Sequence, residues 1–276
     1  MFPEVSVIIP TYNRAAMVVE AVESVLAQEM LDFELIVIDD GSSDDTQEKL
    51  RVYNSRLSYY RQKNAGVGAA RNRGLELSKA PLVSFLDSDD LWLPKKLSTQ
   101  HQYMLDHPEV WICQTEEIWW RNGRRVNPKK HHQKVSGNIF QRSLDLCLVS
   151  PSAVMLRREL LEKVGHFDEE LPVAEDYDLW LRVAVDYPVE LLPDPLVIKR
   201  GGHPDQLSSR SSIDRYRIKA LEKLLSSGAL SLKKYEWTWQ ALQHKCQIYG
   251  QGCVKRGRVE EGERYLALPQ RYKRKT

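Results

Sequence analysis

Cysteine is scarce: Cys113, Cys147, Cys246 and Cys253 are the four in 276 residues, and no two form a CxxC pair. That excludes a dithiol redox motif and predicts reduced thiols in a cytoplasmic protein. Long apolar runs are missing as well. No stretch approaches the roughly 20 residues that span a bilayer, so membrane contact is expected to be peripheral at most. The opening MFPEVSVIIP lacks the basic segment and long apolar stretch of a secretory leader. Charge of either sign is hardly in excess: 40 Lys and Arg against 38 Asp and Glu leave +2, and nothing in that balance calls for nucleic acid. There is no low-complexity segment and no internal repeat. What remains is an ordinary globular composition, 42% hydrophobic and 28% charged, in a chain long enough for one large domain with a smaller appendage.

Short β-rich runs alternate with helical patterns through the first part of the chain. VSVIIP (5–10), ELIVIDD (34–40), LSYYRQ (57–62) and PLVSFLD (81–87) read as strands. Between and after them, Met17, Val18, Ala21, Val22, Val25 and Leu26 fall on one helical face, and GSSDDTQEKLRVY, GVGAARNRGLELSK and PKKLSTQHQYMLDH carry helical patterns. Repeated β-α-β units with continuously apolar strands predict an α/β fold whose mostly parallel sheet is covered on both faces. Beyond Pro108 the pattern loosens. VWICQTEEIWW and RNGRRV suggest a hairpin, residues 127–137 a polar basic loop, and AEDYDLWLRVAVDY an amphipathic helix. From about Ser208 the chain is helical and basic, which suggests a catalytic domain over 1–207 and a helical extension over 208–276.

In an open parallel sheet, ligands bind outside the carboxyl ends of the strands. Here those ends read PTYN, DDGS and DSDD. Asp87, Asp89 and Asp90 admit three readings. A solvated turn is one. A calcium EF-hand loop is another, but it fails because Trp92 and Ser98 stand where Gly and Glu are needed. The third is a Mg²⁺ or Mn²⁺ site with few protein ligands, completed by water and substrate phosphates. Tyr12 lies against a ligand base or is a core aromatic. GVGAARNRG does not complete a dinucleotide fingerprint, since the sixth position from Gly66 is Arg71 and the packing glycine is missing. Glu175 and Asp176 open a helix, either as caps or as a general base kept ionised by that end's partial positive charge. Trp180, on the same helix, packs in the core or stacks on a ligand.

VSVIIPTYNR, LIVIDDGSSDDT, NAGVGAARNRGLELSKAPLVSFLDSDD and AEDYDLWLR together resemble the successive signatures of family 2 glycosyltransferases, which share an A-type nucleotide-diphospho-sugar transferase fold. The resemblance covers residues 4 to about 200. It implies that Asp89 ligates the divalent ion and that Asp87 contacts ribose or metal-bound water, with Asp90 as helix-start scaffolding. It makes Asp40 the acceptor for the base N–H, which suits uracil or thymine better than guanine, with Asp39 a sheet-end partner. Pro10, Thr11, Tyr12 and Ser88 join the donor site, and Arg71 or Asn72 holds ribose or phosphate; a surface helix cation is the alternative for Arg71. Asp176 becomes the base, and Glu175 orients donor or acceptor. His203, in GGHPDQLS, contacts the diphosphate, supplies a third metal ligand, or is a solvated loop residue.

The resemblance thus implies a metal-dependent inverting transferase using Mn²⁺ or Mg²⁺ and a nucleotide-diphospho-sugar, UDP-linked by preference. Its acceptor would be a glycan or lipid-linked glycan in cell-surface polysaccharide or lipopolysaccharide assembly. A sugar nucleotidyltransferase needs a glycine- and base-rich loop after the first strand, which PTYNR is not. A catalytically inactive sugar-nucleotide-binding scaffold is the remaining alternative. His131 and His132 read as a solvated basic loop, with an anionic acceptor as the other reading. The C-terminal helices serve packing, acceptor contact or homo-oligomer formation, and Cys246 and Cys253 need neither metal nor disulfide.

Overall fold

A computed structural model describes residues 3–30, 32–202 and 213–273. The first part alternates as its sequence predicts: β1 (Val5–Thr11), α1 (Ala15–Leu26), β2 (Phe33–Asp39), α2 (Thr46–Leu50), β3 (Ser58–Arg61), α3 (Val67–Leu77), β4 (Leu82–Phe85). All seven residues of β1 are buried, as expected of a central strand covered on both faces. β1 runs parallel to β2 and β4, and β2 to β3. The α3 helix packs so closely on β1 that a Cβ on Gly74 would lie 2.4 Å from Ile8 Cγ2. The packing glycine is therefore present, three residues beyond the position the dinucleotide fingerprint reserves for it.

Past β4 the strands change direction. There follow β5 (Leu91–Trp92), α4 (Lys96–Asp106), β6 (Ile112–Arg121), β7 (Arg124–Val126), α5 (Phe140–Ser143), β8 (Val154–Arg157), α6 (Arg158–Val164), α7 (Glu175–Asp186) and β9 (Glu190–Gly201). The sheet order is β3-β2-β1-β4-β8-β6-β9-β5, with β7 on β6. β8 is antiparallel to β4 and β6, whereas β6 and β9 run parallel with a bulge near Glu116. The expected hairpin is β6–β7, turned at Asn122 and Gly123, both with positive φ. The two-residue β5 and the length of β9 were not legible in the sequence. DSDD is consequently a turn between strands, so Asp90 is not a helix-start residue.

The helices α8 (Ile213–Ser226), α9 (Leu232–Lys255) and α10 (Val259–Ala267) complete the described chain. Ile218, Leu221, Leu242, Cys246 and Tyr265 join the same apolar cluster as Phe140, Tyr177 and Trp180, so these helices pack against α5 and α7. Lys223 of α8 reaches Asp178 of α7 at 2.8 Å and pairs with Asp168. Gly250 and Gly262 let α9 and α10 cross closely, since a Cβ on Gly250 would stand 2.8 Å from Gly262 O. Cys246 and Cys253 are buried and free. Among the described residues, no helix is long and apolar enough to cross a membrane.

Candidate active site

The loops at the carboxyl ends of β1, β2 and β4 are tied into one edge. Asn13, at φ +51°, donates its N–H to Ser42 Oγ (2.8 Å) and accepts from Ser43 N–H (2.7 Å). Asp44 accepts from Ala15 N–H at 3.0 Å. One residue before Ala15, Arg14 pairs with Asp89 at 3.0 Å. These contacts link the PTYN, DDGS and DSDD segments to one another.

Asp39 and Asp40 split their roles. Asp39 accepts from Ser42 N–H (2.8 Å) and Tyr59 O–H (2.5 Å), and holds the end of β2. Asp40 is buried, and accepts from Gln62 Nε2, Ala65 N–H and Gly66 N–H at 2.8–2.9 Å. It fixes the loop entering α3, where Gly66 has φ +96°. Its Oδ2 receives only Gly66 N–H among these contacts and so keeps a lone pair for a further donor. Tyr12 is 48% exposed, not a core aromatic. Thr11 is buried beside it, and its Oγ1 has no hydrogen-bond partner among the described residues.

A cleft of about 200 Å³ runs from Pro10 and Arg14 past Asp87, Ser88 and Asp89 to Glu175 and Asp176. Ligand atoms of Asp87, Asp89 and Asp90 lie within 4.8 Å of one another. Asp90 is turned inward, accepting from Ser152 O–H (2.6 Å) and Arg200 N–H (2.9 Å). Burial, opposed by Lys199 but reinforced by Asp89 and Asp87, pushes it up to about 8. Asp87 and Asp89 are therefore the pair best placed for a hard divalent ion, and two carboxylates with open positions suit Mg²⁺ or Mn²⁺.

Arg71 is not a surface cation. It is buried on α3, donating from Nη2 to Asp87 Oδ1 and from Nη1 to Glu175 Oε1, both at 2.6 Å, with its guanidinium over the Phe167 ring. Burial works against its charge, but Asp87 and Glu175 more than offset this and hold it protonated. Asn72 is structural, bonding Phe167 and Glu169. Ala174, before α7, has φ +64°, a strained conformation for a side chain with a Cβ. It turns Glu175 inward to Arg71 and leaves Asp176 half-buried at the cleft. Burial and the Asp176 charge push Glu175 up to about 7, against the pull of Arg71. Asp176 accepts from Tyr177 N–H at 2.7 Å, and the half-buried Cys147 thiol lies 3.7 Å from its other oxygen. Trp180 is buried in the core and has no face open for stacking. His203 lies outside the described residues.

A second cavity, of about 230 Å³, opens on the other side of Asp176, which lines both. Trp119, Trp120, His132, Tyr177 and Arg217 wall it. Sequence reasoning missed its floor. Glu117 is buried, 3.2 Å from Lys134, and Lys199 approaches it at 4.0 Å. Burial favours protonated Glu117, but Lys134 and Lys199 more than offset this and bring it down to about 2. Residues 127–137 are thus not wholly a solvated loop: Lys134 is sunk into the core, and His132 packs on Trp119 at 5.2 Å between ring centroids. Lys199 lines both cavities, kept charged by Glu117, Asp90, Asp87 and Asp176 despite burial.

Residues 6–165 match the family described as glycosyl transferase family 2, and the chain belongs to it. A UDP-Glc:α-D-GlcNAc-diphosphoundecaprenol β-1,3-glucosyltransferase of Escherichia coli is 32% identical over 224 residues, which are 79% of this chain and 83% of that protein. A Rickettsia felis glycosyltransferase is 34% identical over 183 residues, 66% of this chain, but the matched part is only 30% of that longer protein. In structure, the chain resembles S. aureus TarS residues 1–349 in complex with UDP-GlcNAc. The TM-score is 0.68 at 20% identity, covering 97% of this chain and 92% of that one. It also resembles a Pyrobaculum calidifontis mannosyltransferase in complex with GDP-Man and Mn²⁺, with TM-score 0.63 at 18% identity over 100% of this chain and 77% of that one. At these identities the likeness establishes the shared fold.

Proposed function

We propose that this chain is an inverting glycosyltransferase that moves a sugar from a nucleoside-diphospho-sugar to an acceptor hydroxyl. The observation that carries the proposal is the position of Asp176 on the wall common to two cavities, one bearing the acid cluster and the other lined by aromatic and cationic groups. The donor lies in the first. Its base packs near Tyr12 and meets Asp40, its ribose and diphosphate pass Ser88 and Asp87, and Asp87 with Asp89 holds Mn²⁺ or Mg²⁺. When bound, that ion supplies Lewis-acid stabilisation to the diphosphate leaving group. The acceptor lies in the second cavity.

Asp176 takes the proton from the acceptor hydroxyl as its oxygen bonds to the anomeric carbon. The bond from that carbon to the diphosphate oxygen breaks, and the nucleoside diphosphate leaves with both bonding electrons. One displacement of this kind inverts the anomeric centre. Arg71 orients Asp87 and Glu175, and Lys199 adds positive charge at the boundary where the diphosphate's negative charge grows. UDP-glucose as donor, and a sugar carried on a polyprenyl diphosphate as acceptor, are proposed from the E. coli relative.

The test incubates the chain with a panel of sugar nucleotides, Mn²⁺ or Mg²⁺, and acceptor diphosphates. Release of nucleoside diphosphate together with an inverted linkage in the product, read by NMR, is expected. Pyrophosphate release would instead mark a nucleotidyltransferase, and donor binding without turnover on any acceptor a scaffold.

A further inference from the structure

The near-neutral total conceals a sharp division of charge. From position 208 onward the sequence has sixteen Lys and Arg against six Asp and Glu, whereas residues 1–207 have twenty-four against thirty-two. Folding keeps this division, because α8, α9 and α10 pack as one group on a single side of the core. Between α8 and α10 runs a groove of about 360 Å³ lined by Arg215, Lys219, Arg264 and Arg271, with Glu222 the one acid in its wall. Lys219 has a surface partner in Glu170 at 3.0 Å, and Glu222 accepts from Tyr272 O–H at 3.2 Å. Two phenols, Tyr216 and Tyr265, lie beneath the guanidinium groups of Arg215 and Arg264.

The neighbouring helices also expose apolar groups. Of the ten large hydrophobic side chains exposed among the described residues, Leu232, Ile248, Val254, Val259 and Leu266 all belong to α9 and α10. A helical group that carries a cationic groove and also exposes aliphatics complements a surface that is anionic outside and apolar just beneath, which is a membrane leaflet rich in acidic lipid. A nucleic acid complements the cations but leaves the aliphatics in water.

We infer that the α8–α10 face docks the protein on an anionic lipid surface, with the groove cations seating lipid phosphates. The placement has a consequence for the cleft. Ile213, in the first turn of α8, lines both cavities beside Asp176, and Arg217 lines the second. Docking through α8 therefore sets the acceptor cavity close to the lipid headgroups; this consequence, unlike the docking itself, rests on the function proposed above.

The test measures binding of the full chain to phosphatidylcholine vesicles with and without phosphatidylglycerol, at low and high salt. Salt-sensitive binding to the anionic vesicles alone is expected. Replacing Arg215, Lys219, Arg264 and Arg271 together by Gln should weaken it on the order of a hundredfold. Replacing Lys49, Arg51, Lys79 and Lys95 by Gln makes the same change of net charge on the opposite half and should weaken it far less. Both variants should bind UDP-glucose as the unaltered chain does, so loss of docking is read separately from loss of the donor site. Equal losses in the two variants, equal binding to neutral vesicles, binding of single-stranded RNA in place of vesicles, or a dimer that buries this face in solution would each overturn the inference.

Discussion

Asp87, in the turn after β4, and Glu175, at the start of α7, are held by one side chain: each accepts a 2.6 Å hydrogen bond from a terminal nitrogen of Arg71. The acid cluster that follows β4 and the segment that carries Asp176 are thereby locked to each other through a buried cation on a third element. Removing it strands a buried carboxylate. Arg71→Met is expected to cost about 3–5 kcal/mol, lowering the melting temperature by roughly 10 °C. The double variant with Glu175→Met should recover part of the loss, and calorimetry on the single and double variants measures that coupling.

Asp176 is the half-buried acid facing both cavities. Asp176→Asn keeps its shape and removes its basicity. Donor affinity is expected to stay unchanged while transfer falls by roughly 10²–10⁴. Titration with UDP-glucose and a turnover assay on the same preparation check the two halves of this expectation, and near-normal turnover would remove Asp176 from the role of base.

Asp89 reaches Arg14 at 3.0 Å and shares the acid cluster with Asp87. With Asp89→Asn, adding Mn²⁺ should no longer tighten donor binding, and affinity should equal that of the unaltered chain in chelator. Calorimetric titration with and without the ion reads this directly. An undiminished metal effect would move the ligand role elsewhere.

The buried Glu117 carboxyl is lowered to about 2 from an ordinary 4.5. A lowered carboxyl stabilises the fold above its unfolded value and loses that contribution as pH falls through the folded one. The stability gap between the unaltered chain and Glu117→Gln should thus be full above about pH 4.5 and shrink between 4.5 and 2. Urea melts across that range measure the gap. A gap that does not change with pH would show that Lys134 and Lys199 do not act on Glu117 through its charge.

Gly74 leaves no room for a methyl group, with Ile8 Cγ2 2.4 Å from where its Cβ would stand. Gly74→Ala should destabilise the chain by about 1–3 kcal/mol through overpacking of α3 on β1, despite alanine's better helix propensity. Denaturant midpoints test this, and the paired change Ile8→Ala, which removes the Cγ2 and Cγ1 atoms in the way, should cost less in the Gly74→Ala background than on its own.

Much of the first β-α-β half was legible in the residues. Buried parallel strands must be continuously apolar, so VSVIIP and ELIVID declare themselves, and the polar residues where each run stops mark the ligand edge. Tyr12 was ambiguous because an aromatic beside a strand end reads equally as core or rim. Asp90 was misread because a turn between two strands and a helix start favour the same residue. The floor of the second cavity left no local signal, for Lys134 sits among exposed basic residues and Glu117 in an otherwise ordinary strand.

Sequence alone determined the order of the first four strands and the acids at their tips, since apolar period and chain direction are local properties. Only the tertiary structure decided that Arg71 is buried between Asp87 and Glu175, that Glu117 finds Lys134, and that one carboxylate, Asp176, serves two cavities. Those relations depend on which charges meet after distant segments pack, and low-dielectric pairing of that kind leaves no periodicity to read.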